Sequence, residues 1–297
     1  MIAKWHVTIA KLSVQARLPL ADQLRQVKRR LFGYAPDRSN IGSTFDDLAQ
    51  LHRLMREHGQ AFHGIVLEIG AGWFPVAGII MRLLGAEKVL LTDITRNMDH
   101  ATFMTARQIV LDRLDEVAER FGIDANRARS MVQDATTLEA MGLVYLAPFD
   151  VNSVADGSVD VIMSRACLEH IPVADLRWLM GALRPKLGPA GIMAHAVDHG
   201  DHLAYVDRSL SRLNFLTWTQ AQHDLCWKLM RSGENRLRYQ ELAALFAGAG
   251  LDVVGSYGLV HEPSRVQVPH LKLQPPYDVM SAEELATLTT WFVLRAG

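Results

Sequence analysis

The sequence predicts a doubly wound α/β protein built on a mostly parallel sheet. Two observations carry that expectation. From Ile65 onward, short apolar runs alternate with helix-length amphipathic segments, the pattern of βαβ units joined by right-handed crossovers. The first of those runs, IVLEI (65–69), leads directly into Gly70-Ala71-Gly72 and a helix, which puts a ligand-binding turn at the carboxyl end of the first strand.

The elements follow in order. The first forty residues carry eight Lys or Arg against two Asp and read as a solvated helical arm. An amphipathic helix is expected from Leu20 to about Tyr34, then a loop through APDRSNIGS. A second helix runs from a Ser43-Thr44 cap to about Glu57, ended by Gly59. Neither helix has a strand beside it, so 1–60 is expected to form an N-terminal helical cap on a domain spanning 61–297. The second strand is KVLLTD (88–93), followed by a long helical stretch from about Asp99 to Phe121. SMVQD (130–134) reads as the third strand and SVDVIMS (158–164) as the fourth. A helix over 173–187 and Gly188-Pro189 lead to the fifth, AGIMAHAV (190–197).

The segment from Asp198 to about Asn235, rich in His, Trp and Asn, breaks the alternation after strand five. It sits where an insertion covering a substrate would lie. A helix from Tyr239 to Gly250, a strand LDVVGSYGLV (251–260) and a last strand TTWFVLRA (289–296) complete a seven-stranded sheet. The 28 residues between those strands (261–288) are long for a hairpin, and loops of that length are usually functional or disordered. Segments of about 198–238 and 261–288 are therefore expected to cover the acceptor.

Bulk composition narrows the function. Hydrophobic residues make up 49% and charged residues 21% of the 297, with a net charge of -1. That is a globular protein with a real core and no global pull toward nucleic acid or anionic membrane. Two cysteines without a CxxC argue against a disulfide framework and against structural zinc. The N-terminus, interrupted by Lys4, Lys11 and Arg17, has no continuous apolar signal region, and no stretch is long enough to span a bilayer. A cytoplasmic protein is expected; the oligomeric state is left open, a homodimer included.

The glycine turn suggests its own ligand. Position 75, where a dinucleotide GxGxxG needs its third glycine, is Pro75, and Glu68 precedes the first glycine. A carboxylate there would repel a pyrophosphate, yet it suits the ammonium of an amino-acid-containing cofactor. Asp93 ends the second strand twenty-one residues after Gly72, where a carboxylate can accept hydrogen bonds from both ribose hydroxyls.

This E-x-G-x-G form, with Asp93 and the segment DVIMSRACLEHIP leading to LRPKLGPAG, resembles the class I S-adenosylmethionine-dependent methyltransferases. The resemblance covers about Ile65 to Val197 by motif and the last two strands by topology. It implies a Rossmann-like sheet whose last strand is antiparallel, with S-adenosyl-L-methionine as cofactor and S-adenosyl-L-homocysteine as product. It also implies cofactor contacts at Glu68, Gly70, Ala71, Gly72, Asp93 and Ile94. Asp134 and Ala135 would receive the adenine, while Ser164 and Arg165 would line the amino-acid end.

Methyl transfer from a sulfonium is an in-line displacement that mainly needs alignment, and a hydroxyl acceptor also needs a general base. The end of strand five supplies candidates in HAVDHGDH (195–202). His199 or His202 is expected as base, oriented by Asp198 or Asp201, because an imidazole titrates near neutrality. The same groups could instead hold Mg²⁺ or another divalent ion with water. His195 reads as a core histidine and His170 as bonded to local backbone. Asn235, Arg236 and Arg238 are candidates for gripping a polar acceptor. Gln274-Pro275-Pro276-Tyr277 resembles the [ND]PPY of amino-methylating enzymes, but it lies far from the fourth strand, where SRAC stands instead.

The expected function is therefore O-methylation of a small molecule, with no nucleic-acid partner and no resident metal. Two alternatives are an NAD(P)-dependent oxidoreductase and a non-catalytic S-adenosylmethionine-binding partner subunit. Glu68 and the missing third glycine oppose the first.

Overall fold

The computed structural model describes residues 4–15, 17 and 38–297. The helix expected over 20–34 lies outside these residues. A first helix, α1 (Lys4–Gln15), precedes α2 (Arg38–Glu57). The alternating part runs β1 (Gly64–Ile69), α3 (Val76–Leu83), β2 (Ala86–Thr92), α4 (His100–Asp112), α5 (Leu114–Phe121) and α6 (Ala125–Asp134). It continues through β3 (Leu143–Leu146), β4 (Val159–Arg165), α7 (Val173–Leu183) and β5 (Leu187–Asp198). Then come α8 (Leu203–Val206), α9 (Gln220–Met230), α10 (Tyr239–Gly248), β6 (Leu251–Val260), α11 (Glu262–Gln267), α12 (Ala282–Ala286) and β7 (Thr287–Ala296).

The seven strands lie in the order β3-β2-β1-β4-β5-β7-β6. β1 to β5 pair in parallel, and β7 runs antiparallel between β5 and β6. The doubly wound sheet with a reversed last strand is thus the one expected. The order turns between β1 and β4, which opens a crevice at their carboxyl ends. Both faces are covered, which explains why β1 and β4 read as nearly continuous apolar runs. One face packs Phe45, Leu48, Ile79, Ile80 and Phe103; the other packs Leu176, Met180, Leu242 and Phe246.

Three expectations change. The helix expected from Ser43 begins at Arg38, and its Ile41, Phe45, Leu48, Leu51 and Met55 are buried in the main core. It is a covering layer of the sheet and not a separate cap, because its apolar stripe finds its partners on α3 and the sheet. The long stretch after β2 divides into two helices at Arg113. SMVQD (130–134) is the end of helix α6, whose Asp124 caps Arg127 N at 2.7 Å. The third strand is LVYL (143–146), four residues at the sheet edge beside β2.

Asp134 and Ala135 therefore close a helix, with Asp134 exposed, and do not stand at a strand end. Leu146 and Ala147 occupy the position expected for them.

The two irregular segments meet. Leu213, Phe215 and Leu216 from the first share a small core with Tyr277, Leu285 and Leu288 from the second, so they form one body over the carboxyl end of the sheet. Tyr277 of the PPY segment is spent there, under the Arg236 guanidinium at 5.5 Å. Among the described residues no helix is long and apolar enough to cross a membrane.

Candidate active site

A cavity of about 1210 Å³ lies above the carboxyl ends of β1, β4 and β5. One wall is the glycine turn. Gly70 and Ala71 both donate their N–H to Thr92 O at 2.9 Å, and Gly72 donates to Asp93 Oδ2 at 3.0 Å. Gly70 and Gly72 have φ of +75° and +66°, a region that costs an L-residue about 1–2 kcal/mol. At Gly70 a Cβ would also meet Cys167 Sγ, whereas at Gly72 it would meet open space. Gly70→Ala is accordingly expected to cost about 2–5 kcal/mol once overpacking is added, and Gly72→Ala only about 1–2 kcal/mol. Chemical denaturation of the two variants measures the difference; equal losses would refute the packing argument.

Glu68 lines this wall, 6% exposed. Its Oε2 has no hydrogen-bond partner among the described residues. Burial pushes the carboxyl up to about 7, opposed by Arg165 and helped by Asp93. An orphaned, buried acid on a cavity wall is a receptor for a cation, since its desolvation is otherwise uncompensated. Asp93 stands at the end of β2, with Oδ1 accepting from Thr95 N at 3.1 Å. Ile94 beside it is 88% exposed.

Arg165 also lines the cavity, held by Asp47 at 2.8 Å and by Ser43 Oγ at 2.5 Å. Both partners come from α2, so the helix expected as a remote cap supplies part of the site. Ser164 faces away into the core. Its Oγ meets His195 Nδ1 at 2.8 Å, and both residues are fully buried. The expectation that Ser164 lines the cofactor end is corrected: on a strand, neighbours 164 and 165 point to opposite faces.

A second part of the site is a cluster of acids and imidazoles. Asp198 Oδ2 accepts from Tyr205 Oη at 2.5 Å and Oδ1 from Gly200 N at 2.8 Å. His202 lies between Asp198 Oδ2 (3.3 Å) and Glu234 Oε1 (3.2 Å). His170, on the turn after β4, packs edge-on against His202 with centroids 4.8 Å apart and places Nδ1 3.0 Å from Gly233 O. Glu169 is 3% exposed, and neither of its oxygens makes a hydrogen bond of normal geometry.

The charges follow from these contacts. Burial alone would raise Asp198, but the His202, Tyr205 and Gly200 contacts outweigh it and hold the carboxyl at about 2. Burial alone would lower His202, but Asp198, Glu234 and Glu169 outweigh it and lift the imidazole to about 9. Asp198, His170, His202 and Tyr205 all border the cavity. Glu169, Glu234, Tyr205 and Asp47 escaped the sequence reading. Only their pairing across distant segments marks them, and no spacing along the chain reveals it.

His199 is a different case. It is 3% exposed, with Nδ1 at 2.8 Å from Leu237 O and Nε2 at 3.1 Å from Thr290 Oγ1. Burial, with Arg238 nearby, pushes it down to about 3. Both ring nitrogens are engaged beneath the site, so His199 is a structural clamp and not the base expected for it. Asp201 likewise turns inward, to the N–H groups of Leu203 and Phe215. His199→Ala is expected to cost about 2–4 kcal/mol, from lost packing and a stranded carbonyl. A thermal melt reads the loss, and an unchanged melt with abolished turnover would restore a catalytic role.

Three further candidates also turn out to be struts. Asn235 Nδ2 donates to Leu168 O and Ile171 O. Arg236 donates to Phe215 O and Trp218 O, and Arg238 donates to His199 O at 2.6 Å. Asn235 and Arg238 fasten the covering body to the turns after β4 and β5, and Arg236 ties that body together.

No protein-family model and no curated protein matches the chain. Solved structures do. An S-adenosylmethionine-dependent methyltransferase from Mesorhizobium loti is 15% identical over 84% of this chain and 99% of its own, with a TM-score of 0.45. The structure of DhpI in complex with S-adenosylhomocysteine is 13% identical over 99% and 98%, with a TM-score of 0.44. A methyltransferase from Leishmania major is 12% identical over 98% and 83%, with a TM-score of 0.46. The chain's own sheet, in the order β3-β2-β1-β4-β5-β7-β6 with β7 antiparallel, is of the Rossmann-like α/β kind.

Proposed function

We propose that this protein is an S-adenosylmethionine-dependent methyltransferase acting on a hydroxyl of a small molecule. The observation that carries the reading is one cavity with two unlike walls. Glu68, whose buried Oε2 has no hydrogen-bond partner, belongs to the lining at the glycine turn, and the Asp198–His202–Tyr205 group belongs to the lining at the end of β5. The sulfonium, when bound, supplies an activated methyl group and a good leaving group.

The chain's own residues do the rest. Glu68 receives the ammonium of the amino-acid end. Gly70, Ala71 and Gly72 keep the turn close and free of side chains, and Asp93 takes the ribose hydroxyls. Arg165 places positive charge beside the carboxylate of the same end. The covering segments exclude water and hold the acceptor in line. The acceptor's proton passes to the Asp198 carboxylate, because His202 already carries its proton between Asp198 and Glu234. His202 thus orients the acceptor of the proton and is not itself the base expected of His199 or His202.

Calorimetry with S-adenosylmethionine and S-adenosylhomocysteine, using NADH and NADPH as controls, tests the reading on the wild type and Asp93→Ala. Micromolar binding of the adenosyl compounds, lost in the variant, is expected. Folded protein that binds neither adenosyl compound would overturn the proposal.

A further inference from the structure

We infer that Glu169, His170 and His202 form a binding site for a first-row divalent transition-metal ion at the acceptor end of the cavity. One donor atom from each residue lies within 4.8 Å of the other two. Three ligands sharing an ion at bonds of roughly 2.1 Å stand about 3.0–3.6 Å apart, so closure needs the most widely spaced donors to approach by about 1 Å. Glu169 and His170 lie on the short turn after β4, and His202 follows β5. These are neighbouring strands, so the sheet itself brings the donors together.

Glu169 is the independent sign that a ligand belongs there. It is an acid 3% exposed with neither oxygen in a hydrogen bond of normal geometry; only the backbone N–H groups of its own residue and of Asp198 approach it, and burial raises it to about 8. A buried acid is normally fully hydrogen-bonded, and a cation at this point would supply the missing partner. The surroundings are also those of a metal centre. With Nδ1–H of His170 donated to Gly233 O, its Nε2 carries the free lone pair. His202 keeps Nδ1 toward Glu234 at 3.2 Å, and its Nε2, 3.3 Å from Asp198 Oδ2, gives up its proton when the ion binds. Such outer partners orient ligating imidazoles.

Two imidazoles and one carboxylate favour Zn²⁺, Mn²⁺, Fe²⁺ or Co²⁺ over Mg²⁺ and Ca²⁺, which prefer oxygen donors throughout. Three protein ligands leave positions open, and His170 and His202 both border the cavity. An acceptor hydroxyl fits such a position.

The role assigned to the ion rests on the methyltransferase reading; its binding does not. The acceptor oxygen coordinates the ion, which acidifies the hydroxyl. Its proton moves to the Asp198 carboxylate. An oxygen lone pair forms the new O–C bond as the C–S bond breaks, and the electron pair of that bond stays on sulfur. The products are a methyl ether, S-adenosylhomocysteine and a protonated Asp198, and the ion does not change its oxidation state.

The test titrates full-length, EDTA-treated protein with Co²⁺, read by visible absorption, and with Zn²⁺, read by calorimetry. S-adenosylhomocysteine binding and a thermal melt are recorded on the same samples. The wild type is expected to bind one ion. Glu234→Gln should weaken it roughly 10–100-fold, as outer-partner changes do, and Glu169→Gln should weaken it further than that. His170→Ala, at a half-exposed residue whose loss spares the core, must give the same large loss if Glu169→Gln fails to fold.

Wild-type protein that takes up neither ion while binding S-adenosylhomocysteine would overturn the site. So would equal Co²⁺ affinity in the wild type and the folded variants. Metal binding with the expected losses, but no S-adenosylhomocysteine binding, would keep the site and remove the methyltransferase reading.

Discussion

Asp198→Asn is expected to lower kcat by roughly 10²–10⁴-fold, the span that a positioned proton acceptor contributes. Its affinity for S-adenosylmethionine should stay within about threefold of the wild type. Asparagine has nearly the shape of aspartate and can still accept the Gly200 N–H that Asp198 receives at 2.8 Å. It cannot take up a proton, and it offers His202 no charge. Asp198 ends β5, two strands from Glu68 and the glycine turn of β1, so cofactor binding has no reason to change. Tyr205→Phe, which removes only the 2.5 Å hydrogen bond to Asp198, should cost about tenfold, in proportion to one charge-assisted hydrogen bond. Steady-state rates with a hydroxylated acceptor found by screening, together with calorimetry, measure both effects. An Asp198→Asn enzyme with unchanged kcat would remove Asp198 from the chemistry.

Glu68→Gln is expected to weaken S-adenosylmethionine by roughly 30–150-fold, equivalent to about 2–3 kcal/mol for a buried hydrogen bond between charged groups. The pH dependence should carry the same signature. Burial, opposed by Arg165 and helped by Asp93, holds the carboxyl of Glu68 up at about 7. A protonated acid offers an ammonium no charge, so the binding form is the carboxylate. Affinity should therefore be full above about pH 8 and fall as the pH drops through 7, by at most about tenfold per unit. The Glu68→Gln variant should show no such dependence between pH 6 and 8. Binding that tightens on acidification, or a wild type as flat as the variant, would rule out Glu68 as the ammonium receptor.

Local pattern carried much of this site. The glycine turn, Glu68 and Asp93 lie within twenty-six residues, on a strand–turn–helix–strand unit whose geometry follows from periodicity and glycine placement. The acidic and histidine-rich stretch after strand five, HAVDHGDH, was legible as a group of titratable residues at the carboxyl end of that strand. Which histidine borders the cavity was not legible. His199 and His202 are three residues apart in one polar segment, yet His199 turns under the sheet to Leu237 and Thr290. His202 instead faces Asp198, Glu234 and the cavity.

The third strand failed for a related reason. SMVQD has the apolar content of a short strand, but Asp124 caps a helix through it, and Arg107 on α4 holds its last carbonyls, Val132 O and Gln133 O. The true strand, LVYL, is too short to show a period. It is defined by its pairing with β2, an interaction between residues some fifty positions apart.

What the sequence by itself determined is the order of the strands from β4 onward with α7 and α10 between them, the turn that closes on β2, and the acid at the end of each of the first two strands. These depend on spacing and side-chain type within a few residues of one another. Only the tertiary structure decided that α2 belongs to the core and lends Asp47 and Ser43 to Arg165. It alone joined the two covering segments through Leu213, Phe215 and Tyr277, and it alone set Glu169 beside His170 and His202. Those arrangements come from crossovers that return distant segments to one edge of a sheet, and a neighbour made by a crossover leaves no period in the chain.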